Sequence, residues 1–283
     1  MQQVRLGLIG DKIARSRSPE LHRLAGALCG LVVTYDLLIP PERGESFREV
    51  FDHCRDDGYR GLNITYPYKE AVVPLLAPLG PDLASLGACN TVTFGEGAPQ
   101  GANTDCSGFA SAFRNAFPGT PPGTVAMAGT GGVGKAIAFA LAALGARELR
   151  LCDTDRAKAE ALAAALAPVA GAMTIVTTPD IQAAAEGADG LVNATPLGMD
   201  GIGNAIPDSV LAGRSWAFDA VYTPEDTPFV IAARARGLAI LGGFELFLFQ
   251  GVDAFRIFTG HEVDAGELRR RLRRGDGTAA SWA

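Results

Sequence analysis

Short apolar runs alternate with longer amphipathic stretches along the first hundred residues, which is typical of an α/β sheet with helical crossovers. Strands are predicted at 4–10, 32–39, 61–65 and 90–94. Ser18 before Pro19 predicts an N-cap and a first helical residue, with the helix running to about Gly30. Further helices are predicted over 44–57 and from near Tyr68. Together these elements predict an open, largely parallel sheet.

A segment rich in proline and glycine, 118–123, follows a predicted helix at 106–117 and has the composition of a linker. From Thr124 onward six apolar runs alternate with helical segments, which predicts a doubly wound Rossmann-like sheet. Its strands are predicted at 124–129, 148–153, 173–178, 190–195, 216–221 and 238–243. The next segment, 244–260, is predicted to be a helix that is apolar on most of its circumference.

The expected fold class is therefore α/β, with an N-terminal α/β domain, a C-terminal Rossmann-like doubly wound domain and a C-terminal helix that returns to the first domain. We assign residues 1–105, completed by 245–275, to the first domain and 106–244 to the second. Residues 276–283 are small and polar, and are expected to form a flexible tail.

The bulk composition limits the classes of partner. With 283 residues, of which 48% are hydrophobic, the chain is long enough for two cores. A formal net charge of -6 without a basic stripe makes nucleic acid and membrane surfaces unexpected partners. The N-terminal apolar run is too short for a secretory signal or a spanning helix, so a cytoplasmic protein is predicted.

Cysteine and histidine do not form a metal-binding pattern. The five cysteines are scattered without a CxxC pair, and the three histidines lie far apart along the chain. Neither a disulfide framework nor a bound metal is expected.

A glycine-rich turn fits the pattern GxGxxG and lies between an apolar strand and an alanine-rich helix. Its residues are Gly129, Thr130, Gly131, Gly132, Val133 and Gly134. In this context a turn that cradles a dinucleotide pyrophosphate at the helix N-terminus is favoured over a purely structural turn.

Asp153 ends the next predicted strand, about 20 residues beyond the glycines, where a carboxylate can bind ribose hydroxyls. This position favours NAD over NADP. Two alternatives stay open: Asp153 caps the following helix, a role that Asp155 could also serve, or Arg156 pairs with a 2′-phosphate.

Ordered polar motifs are spread along nearly the whole chain. They are Ser16-Arg17-Ser18-Pro19, Asn63-Ile64-Thr65-Tyr66-Pro67-Tyr68-Lys69, Gly87-Ala88-Cys89-Asn90-Thr91, Asn103-Thr104-Asp105, Asn193-Ala194-Thr195-Pro196-Leu197-Gly198-Met199 and Asp219-Ala220-Val221-Tyr222-Thr223-Pro224, followed by Gln250. In this order they resemble the motifs of the shikimate dehydrogenase family. The run Cys152-Asp153-Thr154-Asp155 replaces the Asn-Arg-Thr run of NADP-dependent members and resembles the NAD-preferring quinate/shikimate branch. Arg15 and Glu245-Leu246 depart from the usual residues near the substrate.

The resemblance implies a role for each matched position. Lys69 is expected to be catalytic, with Asp105 as its partner. The implied substrate-binding residues are Ser16, Ser18, Asn63, Thr65, Asn90, Tyr222 and Gln250. The implied cofactor-binding residues, besides the glycine turn and Asp153, are Asn193, Thr195, Pro196, Leu197, Met199, Val221 and Gly243.

Purely structural interpretations of some of these residues are also open. Ser18 before Pro19 could be only a helix cap, and Asn63 could hold the end of its strand. Without the motifs around them, Lys69 and Asp105 would more often be solvated surface groups. A lysine in a partly dehydrated cleft, oriented by a carboxylate, is nevertheless suited to exchange a proton with an alcohol oxygen.

The expected activity is the NAD-dependent, reversible oxidation of a secondary ring hydroxyl of shikimate, to 3-dehydroshikimate, or of quinate. The expected ligand is a small polyhydroxylated cyclic carboxylate, with aminoshikimate as a further candidate, and the chain is expected to be a monomer or homodimer. Two alternatives are another two-domain NAD(P) dehydrogenase, such as a methylene-tetrahydrofolate dehydrogenase, and a non-catalytic nucleotide-sensing regulator. The Ser-x-Ser-Pro and Asn-Thr-Asp segments disfavour the first, and the retention of Lys69 and Asp105 disfavours the second.

Overall fold

The computed structural model describes residues 2–275, which form two compact units. The first unit comprises the chain up to Thr104 together with the chain from Leu248 onward, and the second comprises Asp105–Phe247. The predicted linker at 118–123 therefore lies inside the second unit, and the predicted tail at 276–283 lies outside the described residues. Within residues 2–275, no helix is both long and apolar enough to cross a membrane.

The first unit contains a five-stranded mixed sheet in the order β2-β1-β3-β4-β5. The strand β1 is parallel to β2 and β3, whereas β4 is antiparallel to β3 and β5. The parallel strands are joined by helical crossovers, as their connection requires. The elements are β1 (Gln3–Ile9), α1 (Ser18–Leu28), β2 (Val32–Leu38), α2 (Pro40–Arg43), α3 (Phe47–Asp56), β3 (Gly61–Ile64), α4 (Pro81–Leu86), β4 (Thr91–Thr93) and β5 (Gln100–Ala102).

The second unit contains six parallel strands, as predicted, and their order is β11-β10-β9-β6-β7-β8. The central strands are buried along their whole length because helices cover both faces of such a sheet. The strand order reverses between β6 and β9, so their carboxyl ends form the crevice where doubly wound folds bind ligands. The elements are α5 (Thr104–Ala116), β6 (Thr124–Ala128), α6 (Gly132–Ala143), β7 (Glu148–Cys152), α7 (Arg156–Leu166), β8 (Thr174–Thr177), α8 (Ile181–Ala185), β9 (Gly190–Asn193), β10 (Trp216–Asp219), α9 (Pro228–Ala235) and β11 (Ala239–Gly242).

The chain returns to the first unit through α10 (Gly243–Thr259) and α11 (Ala265–Arg274). A Cβ on Gly61 would lie 2.5 Å from the ring of Phe258, and a Cβ on Gly251 would lie 2.5 Å from the side chain of Leu21. Glycine at both positions therefore lets α10 pack directly against β3 and α1. The returning helix completes the core of the first unit, as the sequence predicts.

Two predicted helices of the first unit differ from the structure. No helix starts near Tyr68, because the segment after β3 is a turn with a cis Tyr66-Pro67 bond and then a short 3-10 helix, Val73–Leu75. The helix predicted over 44–57 is α3 alone, which begins three residues later than predicted, because Gly44 has a φ of 66° and ends the preceding short helix α2. A capping box between Ser46 and Glu49 then starts α3. The strand β5 and the helices α2, α4 and α11 were not predicted.

Candidate active site

Ser16 and Ser18 lie at the start of α1, after the carboxyl end of β1. Helix α1 begins at Ser18 with Arg17 in the N-cap position, and no side chain caps it, so the prediction that Ser18 is the N-cap is wrong. The Ser16 hydroxyl instead accepts from the backbone N–H of Ser18 at 3.2 Å and donates to the Ser18 hydroxyl at 3.1 Å. Both side chains are partly exposed, and the Ser18 hydroxyl is not committed to the helix terminus.

Asn63 is almost fully buried on β3, and its amide is held from both ends. Its Nδ2 donates to the carbonyl of Asn90 at 3.3 Å and to the hydroxyl of Thr91 at 3.2 Å. Its Oδ1 accepts from the hydroxyl of Tyr35 at 2.8 Å. These bonds join β3 to β2 and β4, so the structural role considered for Asn63 is present.

Asn90 caps the helix on which Asp105 lies. Its Oδ1 accepts from the backbone N–H of Thr104 at 2.6 Å and from the Thr104 hydroxyl at 3.1 Å. Thr91 also donates to this oxygen, at 3.0 Å. Asp105 occupies the first turn of α5, directly after Thr104.

Lys69 lies in the turn after β3, and its side chain is half-buried. The neighbouring Tyr68 donates to Asp11 at 2.6 Å and stacks on Phe47 with ring centroids 4.6 Å apart. Burial, and next the hydrogen bond to Asp11, raise the pKa of Tyr68 to about 12, so its hydroxyl stays protonated at neutral pH. The backbone carbonyl of Lys69 accepts from Cys89 at 2.8 Å, so the turn is anchored on both sides of the lysine.

The glycines of the turn between β6 and α6 serve two different purposes. Gly129 has a φ of 94°, and a Cβ on Gly134 would lie 2.2 Å from the carbonyl oxygen of Gly129, so the protein's own packing requires both. A Cβ on Gly131 or Gly132 would have no atom within 4 Å. Gly131 is the N-cap of α6 and no side chain caps the helix, which leaves its first N–H groups suited to an anion.

Asp153 contacts this glycine turn directly. Its Oδ2 accepts from the N–H and the hydroxyl of Thr130, both at 2.7 Å, and its Oδ1 accepts from the N–H of Asp155 at 2.9 Å. Burial opposes ionisation, but these hydrogen bonds outweigh it and hold the pKa of Asp153 below its ordinary value. Asp155 is the N-cap of α7, and Arg156 pairs with Glu160 of the same helix. The helix cap is therefore Asp155, and Asp153 is an ionised group beside the turn.

A buried polar network joins the carboxyl ends of β9 and β10. Asn193 donates to Asp219 at 3.0 Å and accepts from the N–H and the hydroxyl of Thr195 at 3.0 and 2.7 Å. Asp219 also accepts from the hydroxyl of Thr227, the N-cap of α9, at 2.6 Å. Burial raises the pKa of Asp219, and the hydrogen bonds from Thr227, Val221 and Asn193 oppose that rise. The network holds the loops that follow the two strands.

The other predicted ligand residues lie in these loops or on α10. Thr195 donates to Asn193 and accepts from the N–H of Leu197 at 3.2 Å, while the side chains of Leu197 and Met199 are exposed. Tyr222 stacks on Phe247, with ring centroids 5.4 Å apart. Pro196 follows Thr195 in the same loop, and Val221 is buried after β10. Gly243 lies too close to the Ala220 carbonyl for any side chain to fit. Gln250 is half-buried on α10, and Thr65 and Val133 are partly exposed.

Comparisons with known proteins place the chain among its relatives. The profile of the shikimate dehydrogenase substrate binding domain matches residues 8–92. A quinate/shikimate dehydrogenase (NAD+) of Corynebacterium efficiens is 42% identical over 271 residues, covering 93% of this chain and 95% of the relative. The chain belongs to the shikimate dehydrogenase family.

Other members of the family show both cofactor types. A shikimate dehydrogenase (NADP+) of Arthrobacter sp. is also 42% identical, over 270 residues that cover 93% of this chain and 92% of the relative. The structure of quinate dehydrogenase from Corynebacterium glutamicum in complex with NAD has a TM-score of 0.91 and 37% identity, covering 97% of this chain and 100% of that one. The predicted family, the α/β fold class and the assignment as a nicotinamide-dependent oxidoreductase are confirmed.

Several residues that hold the site residues in place were not predicted from the sequence. Thr227 before Pro228 has the form of an N-cap and a first helical residue, a signal that would have pointed to Thr227. Tyr35 and His22 carry no comparable local signal, because their importance depends on contacts between separate elements.

Proposed function

We propose that the protein catalyses the reversible NAD-dependent oxidation of a secondary ring hydroxyl of shikimate, giving 3-dehydroshikimate, or of quinate. The observation that carries the choice of NAD is the ionised Asp153 bonded to the glycine turn. Two relatives with the same sequence identity to this chain are named for different cofactors, so overall similarity does not decide between NAD and NADP. The Asp153 carboxylate is therefore the basis for choosing NAD.

The second unit fits a dinucleotide by the chemistry of its own residues. A Cβ on Gly131 or Gly132 would meet no atom within 4 Å, so there is room for a ligand beside both residues. The uncapped N-terminus of α6 presents N–H groups suited to a pyrophosphate. Asp153 can accept from ribose hydroxyls and would repel a 2′-phosphate. Asn193 and Thr195 hold the loop at the neighbouring strand end, where Pro196, Leu197 and Met199 would border the cofactor.

The first unit fits a carboxylic acid with several hydroxyls. Ser16 and Ser18 supply short hydroxyl donors for the carboxylate. The Oδ1 of Asn90 is taken by Thr104 and Thr91, which leaves its Nδ2 as the part suited to a ring hydroxyl. Asn63, Thr65, Tyr222 and Gln250 complete the set that we propose for the substrate.

Lys69 is proposed as the general acid/base, with Asp105 as the carboxylate that orients its ammonium group. Bound NAD supplies the acceptor for the hydride that leaves the ring carbon. Lys69 takes the hydroxyl proton as the carbonyl forms, and returns a proton to that oxygen in the reverse reaction. The anchors on either side of Lys69, through Tyr68 and Cys89, restrict the turn that carries it. Such restriction favours a defined position for Nζ.

Kinetic assays of shikimate and quinate, each with NAD and NADP, test the proposal. Lys69→Ala should lower kcat by roughly 10²–10⁴-fold, because it removes the acid/base group. The affinity for NAD, measured by calorimetry, should stay within about twofold of wild type, since Lys69 is not among the proposed cofactor contacts. Lys12→Ala, which removes an exposed lysine of the same unit, is the matched control and should keep wild-type kcat. Wild-type kcat in Lys69→Ala would refute the role of Lys69, and inactivity on both acids would refute the proposed substrates.

A further inference from the structure

Tyr35 is a buried polar residue that the proposed mechanism does not use. It lies on β2 with 2% of its surface exposed. Its hydroxyl donates to Asn63 Oδ1 at 2.8 Å. The phenol oxygen thus contacts a side chain on another strand, β3, that is proposed to bind the substrate.

Tyr35 holds one end of the Asn63 amide. It has one hydroxyl proton and gives it to Asn63 Oδ1. The other end is held by the Nδ2 of Asn63, which donates to the carbonyl of Asn90 and the hydroxyl of Thr91. Tyr35 is therefore the group that fixes the oxygen end of this amide.

The ring of Tyr35 is held in place by His22. The two rings are stacked, with centroids 4.8 Å apart and planes 12° apart. His22 is itself 1% exposed and flanked by Phe255 and Phe258, with ring centroids 6.3 and 5.8 Å away. Because His22 is packed on both sides, its stack with Tyr35 restricts where the phenol oxygen can lie.

We propose that Tyr35 is a positioning residue that sets the orientation of Asn63 for a ring hydroxyl of the substrate. This inference rests on the proposed function. Tyr35 gives its only hydroxyl proton to Asn63 Oδ1, so the amide already has a defined orientation before a ligand binds. Pre-positioned donors strengthen binding because less ordering is left for the ligand to impose.

Tyr35→Phe is the decisive variant because it removes the hydroxyl and keeps the ring that stacks on His22. We expect the KM for shikimate or quinate to rise roughly three- to tenfold, the effect of one lost neutral hydrogen bond. The KM for NAD should be unchanged. Tyr59→Phe is the matched control, since Tyr59 is 5% exposed in the same unit and its hydroxyl bonds Asp36 instead of a substrate residue. It should leave both KM values at the wild-type level.

A double-mutant cycle separates positioning from general loosening of the unit. In an Asn63→Ala background, adding Tyr35→Phe should raise the substrate KM by clearly less than it does in wild type, because the group that Tyr35 positions is gone. An unchanged KM in Tyr35→Phe, an equal rise in Tyr59→Phe, or full additivity with Asn63→Ala would each overturn the inference.

Calorimetric titration of the same variants with shikimate and with quinate distinguishes failure of this inference from failure of the proposed reaction. A wild-type protein that binds either acid without oxidising it refutes the reaction, and the ratio of Kd between Tyr35→Phe and wild type still tests Tyr35. A threefold or greater rise in that Kd supports the inference, and an unchanged Kd overturns it. A wild type that binds neither acid overturns both.

Discussion

His22 should make the protein lose stability when the pH falls from 7 to 5. Burial lowers the pKa of this histidine from 6.5 to about 3, against a smaller opposing effect of the Asn63 side chain. In the unfolded chain the imidazole takes up a proton near pH 6.5, whereas in the folded chain it stays neutral. The stabilising effect is therefore complete above about pH 6.5 and is lost as the pH falls toward about 3.

The size of this loss in stability follows from the thermodynamic linkage between proton binding and unfolding. Between pH 7 and pH 5 one such histidine should lower the free energy of unfolding by about 2 kcal/mol. Urea denaturation at both pH values measures it in wild type and in His22→Phe, which keeps an aromatic ring beside Tyr35 and cannot titrate. The variant should lose about 2 kcal/mol less than wild type over this interval, while His261→Gln, which removes an exposed histidine, should match wild type. Equal losses in wild type and His22→Phe would refute the reasoning.

Two further predictions concern the dinucleotide site. Wild type should prefer NAD over NADP by at least about tenfold in kcat/KM, equivalent to about 1.4 kcal/mol, and Asp153→Ala should narrow or reverse that preference. Preference of the wild type for NADP, or an unchanged ratio in the variant, would show that cofactor choice is made elsewhere. Gly131→Ala should keep wild-type thermal stability and raise the Kd for NAD at least severalfold, because its Cβ meets no protein atom and would stand where the pyrophosphate approaches. Gly134→Ala, whose Cβ would lie 2.2 Å from a carbonyl oxygen, should instead lower Tm clearly, and the opposite pattern would contradict the division between ligand-facing and packing glycines.

The second unit could be predicted in detail because its signals are local. Each of its six strands is a short apolar run, and the turn containing Gly129 and Gly134 sits between a strand and a helix, as the motif requires. The sequence also offered Asp153 and Asp155 as alternative caps for α7. The structure distinguishes them, since Asp155 accepts from the first turn of the helix and Asp153 from Thr130.

The first unit was harder to predict because its decisive interactions are not local. The segment after Tyr66 has residues that tolerate a helix, yet Pro67 and the bond from Tyr68 to Asp11 hold it as a turn. Ser18 before Pro19 has the pattern of a cap, but the helix starts one residue earlier than that pattern implies and frees the hydroxyl. The contacts of Tyr35 with Asn63 and His22 join elements far apart in sequence, and no periodicity indicates them.

The return of α10 and α11 to the first unit has a consequence for the order in which the protein is made. The residues up to Thr104 leave the ribosome before the second unit but cannot bury Gly61 and Leu21 against α10 until residues beyond Leu248 have been synthesised. The second unit, Asp105–Phe247, is contiguous and complete before that point. During synthesis the second unit can therefore fold first, while the strands of the first unit wait for α10 and α11.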